Sequence, residues 1–132
     1  MLRLMKERES VSVVDDQYGS PTWTYDLAAA IIRLMDFADT GKIIPYGFYH
    51  FTNEGEITWF DFAKEIYNQG RALGILSKEC NVIPCTSADF PAKVKRPAYS
   101  VLDKTKIKTA LGISIPAWDE SLKKFLSGMQ LV

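Results

Sequence analysis

Asp15-Asp16-Gln17-Tyr18-Gly19-Ser20-Pro21-Thr22 lies between two segments of different period. Ahead of it, Ser10 to Asp15 alternates and is rich in Val, which predicts a strand. Behind it, Leu27, Ile31, Leu34, Met35 and Ala38 fall at helical spacing, which predicts a helix from about Thr24 to Ala38. The turn between them is suited to holding a phosphate or a sugar. Gly19 lets backbone approach a ligand closely, Pro21 fixes the chain just ahead of the Thr22 hydroxyl, and a helix start follows.

Working outward, Leu2, Leu4 and Met5 followed by Lys6-Glu7-Arg8-Glu9 read as the end of a helix. Downstream, Thr40-Gly41 stops the helix, and the alternating run Phe48 to Asn53 predicts a second strand after the Pro45-Tyr46-Gly47 turn. Thr58 with Asp61 resembles a capping box, opening a long amphipathic helix through Trp59, Phe62, Ala63, Ile66, Gly70 and Leu73. Val82 to Thr86 is short and interrupted by Pro84, so it predicts an edge strand or an extended segment. Ser87 to Ser100 reads as a long irregular loop, and such loops inside small domains tend to be functional. Asp103 predicts an N-cap for a helix over 104–111 with Gly112 as its stop, and Pro116 opens a last helix whose positive end suits Asp119 and Glu120. The sum is a mixed α/β chain with two or three short strands and about four helices, with Trp59, Trp118 and the Phe residues expected in its core.

A chain of 132 residues predicts one domain, residues 1–132, and its 47% apolar and 24% charged content is that of an ordinary globular protein. Sixteen basic and sixteen acidic residues cancel, so nothing electrostatic argues for nucleic acid or an anionic membrane. The apolar runs are too short to span a bilayer, and the charged N-terminus is unlike a secretion signal, so the expected location is cytoplasmic. Cys80, Cys85 and His50 are too few for a structural zinc site, so the cysteines are expected as buried or half-buried thiols and His50 as a packed strand residue. A metal pair from Asp15 and Asp16 is disfavoured, because adjacent carboxylates on a strand end point to opposite faces.

Read as a whole, the opening turn resembles the D-Q-x-G-x-P-T signature of dTDP-4-dehydrorhamnose reductases, members of the extended short-chain dehydrogenase/reductase superfamily. Tyr49-His50-Phe51 followed by Glu56-Ile57-Thr58-Trp59-Phe60-Asp61-Phe62-Ala63 is similar to the family's Y-H-F strand and W-x-D-F-A helix start. Lys95-Arg96-Pro97-Ala98-Tyr99-Ser100-Val101-Leu102-Asp103 is similar to its RPxxSxLD segment, and Trp118 with the Leu-rich end to its terminal helix. The pieces occur in the family's order and cover nearly the whole chain.

Two family motifs are missing. There is no G-x-G-x-x-G or G-x-x-G-x-x-G turn for a nicotinamide cofactor. Nor is there a Tyr-x-x-x-Lys pair: Tyr18, Tyr25, Tyr46, Tyr49, Tyr67 and Tyr99 are followed four residues later by Thr22, Ala29, His50, Asn53, Arg71 and Asp103. Both motifs lie upstream of D-Q-x-G-x-P-T in the family, so Met1 is expected to be an internal methionine of a longer enzyme.

What the resemblance implies is the C-terminal, substrate-binding part of a reductase, without the Rossmann cofactor domain. The full enzyme would reduce dTDP-4-dehydro-L-rhamnose with NADPH or NADH to give dTDP-L-rhamnose. This chain would bind no cofactor and supply no catalytic residue. It would grip the dTDP-sugar through Gln17, Gly19, Thr22 and Arg96, with Lys93 and Lys95 adding charge. On the residues alone, Arg96 reads equally as part of a solvated basic cluster, and Thr22 as a helix cap. The expected partners are a second copy of the chain or a separately encoded cofactor domain, covering an apolar face at Leu2, Leu4 and Met5 and a bare strand edge. The alternatives are a non-catalytic regulatory or interaction module of reductase-like fold, or part of another sugar-nucleotide epimerase or reductase.

Overall fold

A computed structural model describes residues 1–41, 43–89 and 94–129. The chain begins with helix α1 (Leu2–Glu7), runs into strand β1 (Ser10–Val14), makes the two-residue strand β2 (Tyr18–Gly19) and enters helix α2 (Thr24–Asp39). Strand β3 (Ile57–Thr58) leads directly into helix α3 (Trp59–Ala72), which is followed by strand β4 (Asn81–Cys85), helix α4 (Thr105–Leu111) and helix α5 (Trp118–Gly128).

β1 and β4 pair in parallel, from Ser10 opposite Asn81 to Val14 opposite Cys85. Asn81 N–H donates to Glu9 O and Asp15 N–H to Cys85 O, so the alternate residue Pro84 turns its missing donor to the outer edge. That is where a strand tolerates proline, and the edge reading holds. Among the described residues no strand pairs with the outer edge of either β1 or β4.

Val11 and Val13 point from β1 into the core, against Met5 of α1, Ala63 and Ile66 of α3, Leu76, and Leu122 and Leu126 of α5. Fully burying side chains such as Leu126 or Met5 stabilises the fold by about 1.5–3 kcal/mol each. α3 starts where the sequence predicts. Thr58 Oγ1 accepts from the Asp61 N–H at 3.1 Å and Asp61 Oδ2 faces the Thr58 N–H, completing the capping box. Cys80 is buried and Cys85 half-buried, both free, as expected.

Several expectations are corrected. Phe48 to Asn53 forms no strand. Phe48 and His50 are exposed, and pairing is limited to an isolated bridge from Glu54 to Ala117. The alternation there serves a different purpose: Tyr49, His50 and Phe51 line a groove between α2 and α4, and Lys106 Nζ lies 4.4 Å from the Tyr49 ring centroid. α4 begins at Thr105, with Asp103 Oδ1 accepting the Thr105 N–H at 2.8 Å from just outside the helix. Trp118 and Phe62 do pack edge to face, with centroids 5.9 Å apart, but Trp59 is 40% exposed and Phe125 also faces outward. Leu2, Leu4 and Met5 are not an open face. α1 folds back so that Met5 is fully buried and both leucines pack on the core.

The open apolar surface lies on α2 instead. Ala30 is its only buried residue, while Tyr25, Ile31, Ile32 and Met35 are all more than half exposed. A helix apolar on most of its circumference is a helix made to be covered.

Candidate functional site

At the carboxyl ends of β1 and β4 the chain leaves the sheet through two polar segments, Asp15 to Gln17 and Thr86 to Asp89. Loops at that end of parallel strands are where α/β folds collect ligand-binding groups. The two adjacent carboxylates diverge: Thr58 Oγ1 donates to Asp15 Oδ1 at 2.7 Å, whereas Asp16 accepts from the Ser87 N–H and hydroxyl at 2.6–3.0 Å. The Ser87 hydroxyl and amide hold the Asp16 carboxyl below the ordinary aspartate value, and Thr86 does the same for Asp89. Burial, then the charges of Asp89 and Asp16, push the Cys85 thiol up, so it is a poor nucleophile.

The turn after β1 is held by three distant segments. Tyr18 pairs with Thr58 in the antiparallel β2–β3 ladder and bridges Tyr99 in parallel on its other side. Tyr18 N–H donates to Ala98 O at 2.8 Å, and Tyr18 O accepts from Ser100 N–H at 3.0 Å and Ser100 Oγ at 2.9 Å. Farther along, Ser20 Oγ donates to Gly55 O at 2.7 Å, and Trp23 N–H donates to Asn53 Oδ1 at 2.8 Å. Tyr99 OH donates to Glu56 Oε2 at 2.8 Å, and this bond to a carboxylate raises the phenol's pKa.

Among the four residues singled out from sequence, Gln17 donates from Nε2 to Ser87 Oγ at 2.8 Å, and its carbonyl oxygen has no hydrogen-bond partner among the described residues. Gly19 lies against Ser100, whose Oγ would be 3.2 Å from a β-carbon there. Arg96 is exposed, two residues before the Ala98 that docks on Tyr18, and its guanidinium has no hydrogen-bond or ion-pair partner among the described residues. The fold thus brings Gln17, Gly19 and the Arg96 segment into one neighbourhood. Lys95 is exposed beside it, and Lys93 lies outside the described residues.

Thr22 is not part of that neighbourhood. Its hydroxyl turns back to Ser20 O at 3.1 Å, and the residue lines a separate apolar groove of about 540 Å³ with Trp23, Phe62, Trp118 and Phe125. The helix start that follows is also not open to a phosphate in the way the sequence suggests. The Trp23 amide is taken by Asn53, and Asp26 already places a carboxylate in the first turn of α2.

Sequence reasoning missed Ser87 and Asn53. Ser87 stands at the head of the irregular loop with no pattern around it. Asn53 was legible only as the end of a strand that does not form, yet it is fully buried and bonded through both amide atoms. Next to it, hydrogen bonding by Lys108 and then the charge of Lys104 hold Glu54 below the ordinary glutamate value, at 2.8 and 3.1 Å. No group of three or more His, Cys, Asp or Glu gathers as a metal site among the described residues.

The fold defines a small mixed α/β lobe with polar segments gathered at the ends of two parallel strands. Comparison with known proteins makes this specific: the model of the RmlD substrate binding domain matches residues 1–131, and the chain belongs to that family. It is 42% identical over 123 residues to the dTDP-4-dehydrorhamnose reductase of Aggregatibacter actinomycetemcomitans, covering 93% of this chain and 42% of that one. It is also 36% identical to the spore coat polysaccharide biosynthesis protein SpsK of Bacillus subtilis, over 96% of this chain and 40% of the relative. The crystal structure of dTDP-4-dehydrorhamnose reductase from Bacillus anthracis in complex with NADP superposes with a TM-score of 0.82 at 35% identity, over 96% of this chain and 41% of that one. The Clostridium acetobutylicum orthologue gives 0.83 at 36% identity, over 98% and 42%. The chain therefore spans about two fifths of the length of these relatives.

Proposed function

We propose that this chain is the dTDP-sugar-binding part of an NAD(P)H-dependent reductase of dTDP-4-dehydro-L-rhamnose, acting in the cytoplasm, and that alone it binds the nucleotide-sugar without reducing it. The observation that carries this reading is the docking of Ala98 and Ser100 on Tyr18. It brings the segment that carries Arg96, whose guanidinium has no partner among the described residues, to the Gln17–Gly19 turn at the carboxyl end of β1. A forked, permanent cation near free acceptors suits a diphosphate flanked by sugar hydroxyls. Thr22 lines a separate groove at the exit of the same turn and would contribute from there.

The chain's own residues do not fit a nicotinamide cofactor. The turn that leads from β1 to α2 contains Gly19, which lacks positive φ, and ends at an α2 whose first turn carries Asp26. The cofactor-binding part would come from the remaining length seen in relatives, on the same polypeptide or as a separate chain. That part would cover α2 and pair with the outer edge of β1, and in its absence a second copy of this chain would do so. The bare face of α2 also favours a second reading, in which the lobe serves as an interaction module.

Calorimetry with dTDP and dTDP-rhamnose, beside an assay of NADPH oxidation, tests the proposal. Weak dTDP binding with no substrate-dependent NADPH oxidation is expected. Turnover by the 132-residue chain, or no binding of either ligand, would overturn it.

A further inference from the structure

α2 and α3 begin in different ways. In α3 the capping box is complete within four residues, between Thr58 and Asp61. In α2 the corresponding residues are Trp23 and Asp26, and neither bonds to the other. Asn53, 30 residues away in sequence, stands between them. Its Oδ1 accepts the Trp23 N–H at 2.8 Å, the bond that an ordinary box assigns to the third helical residue. Its Nδ2 donates to Asp26 Oδ2 at 2.7 Å and to Ser121 Oγ at 3.0 Å, with Pro116 O at 3.2 Å. Ser121 Oγ in turn donates to the same Asp26 oxygen at 2.5 Å. Asn53 is fully buried, and without it the Trp23 N–H would lose its acceptor, while Asp26 and Ser121 would keep only each other and Pro116 O only the Glu54 N–H.

We infer that Asn53 is a positioning residue: its side chain closes a capping box divided between two segments, and so fixes the backbone of the Ser20–Trp23 turn for ligand. Two long-range contacts anchor that stretch, Ser20 Oγ to Gly55 O at one end and Trp23 N–H to Asn53 Oδ1 at the other. Both anchors lie on 53–55, the segment that also docks on the entry to α5 through Glu54 N–H to Pro116 O and Trp118 N–H to Glu54 O. The turn is thereby referenced to the core helix α5. The inference rests on the dTDP-sugar reading for its ligand, but the device itself is read without one.

Amide hydrogen exchange on the 132-residue chain tests it, with dTDP titration in parallel. In Asn53→Ala the Trp23 amide should exchange about tenfold faster or more, while Ile66 in the middle of α3 keeps its protection. The dTDP dissociation constant should rise by a similar factor. Asn53→Asp alone sets two carboxylates together and should open the turn. Adding Asp26→Asn reverses donor and acceptor across the same contact, leaves only the bond to Pro116 O unmade, and should recover most of both Trp23 protection and dTDP affinity, which answers the question even if Asn53→Ala fails to fold. Equal acceleration at Trp23 and Ile66 in the single variants, or no recovery in the exchanged pair, would overturn the inference. Failure of the unmodified chain to bind dTDP would instead count against the proposed function, with the exchange result still deciding the role of Asn53 in the turn.

Discussion

The carbonyl oxygen of Tyr18 accepts two hydrogen bonds from Ser100, one from its amide at 3.0 Å and one from its hydroxyl at 2.9 Å. This contact joins segments 82 residues apart and docks the segment that carries Arg96 on the turn after β1. Ser100→Ala removes one of the two bonds and should loosen the docked segment without unfolding the core. We expect weaker dTDP binding with an unchanged urea midpoint, and equal loss of both would show that the contact serves stability alone.

Arg96 is exposed and has no partner among the described residues, so its removal should cost the fold almost nothing. If it holds a phosphate, Arg96→Ala loses about 1.5–3 kcal/mol of binding energy, the usual worth of a hydrogen bond to a charged group. Calorimetric titration of dTDP into both proteins measures this directly, and indistinguishable isotherms would remove Arg96 from the site.

Gly55 combines a φ of +105° with a position against the Trp118 indole, where a β-carbon would overlap the ring. Gly55→Ala should therefore destabilise the chain by about 2–4 kcal/mol, from backbone strain and overpacking together. The shift of the denaturation midpoint reads this out. A loss below about 0.5 kcal/mol, the range of ordinary surface changes, would mean the loop relaxes freely.

Ser87 holds the Asp16 carboxyl below the ordinary aspartate value. A depressed native pKa contributes stability above the ordinary value, and that contribution is lost as pH falls through the depressed one. Ser87→Ala should move Asp16 back up toward the ordinary range, seen by NMR titration of the side-chain carboxyl. An unchanged Asp16 titration would assign its depression to some other group.

The uncovered face of α2 predicts self-association. The chain should exceed monomer mass in light scattering at micromolar concentration, and Ile31→Glu with Met35→Glu should return it to monomer with its circular dichroism intact. A monomeric wild-type chain would show that α2 tolerates exposure and that no second copy covers it.

By itself the sequence determined the elements whose signals are local. The Thr58–Asp61 box, the left-handed Gly112 after α4, the acidic first turn of α5 and the Pro84 edge strand depend on neighbours within a few residues, and each is found where its pattern placed it. The ordered motifs from Gln17 to Ser100 likewise identified the family, because a series of weak matches in one order is far more specific than any one of them. Alternation at Phe48 to Asn53 misled because a two-residue period shows only that side chains face two ways. Whether a strand forms depends on the segment reaching an edge to pair with, and among the described residues this one lines the groove between α2 and α4 and bridges Ala117 instead of reaching β1 or β4. Amphipathic spacing on α2 likewise defined a face but not what covers it. Only the tertiary structure decided that Ser87 would fasten Asp16 and Gln17, that Tyr18 would receive Ser100, and that Thr22 would face a different groove. It also decided that Asn53 would complete a helix cap belonging to another segment. The physical reason is common to the Ser87, Tyr18 and Asn53 contacts: a buried or docked polar group takes its partner from whatever packing brings within about 3 Å, and that distance is set by the whole chain rather than by the residues beside it.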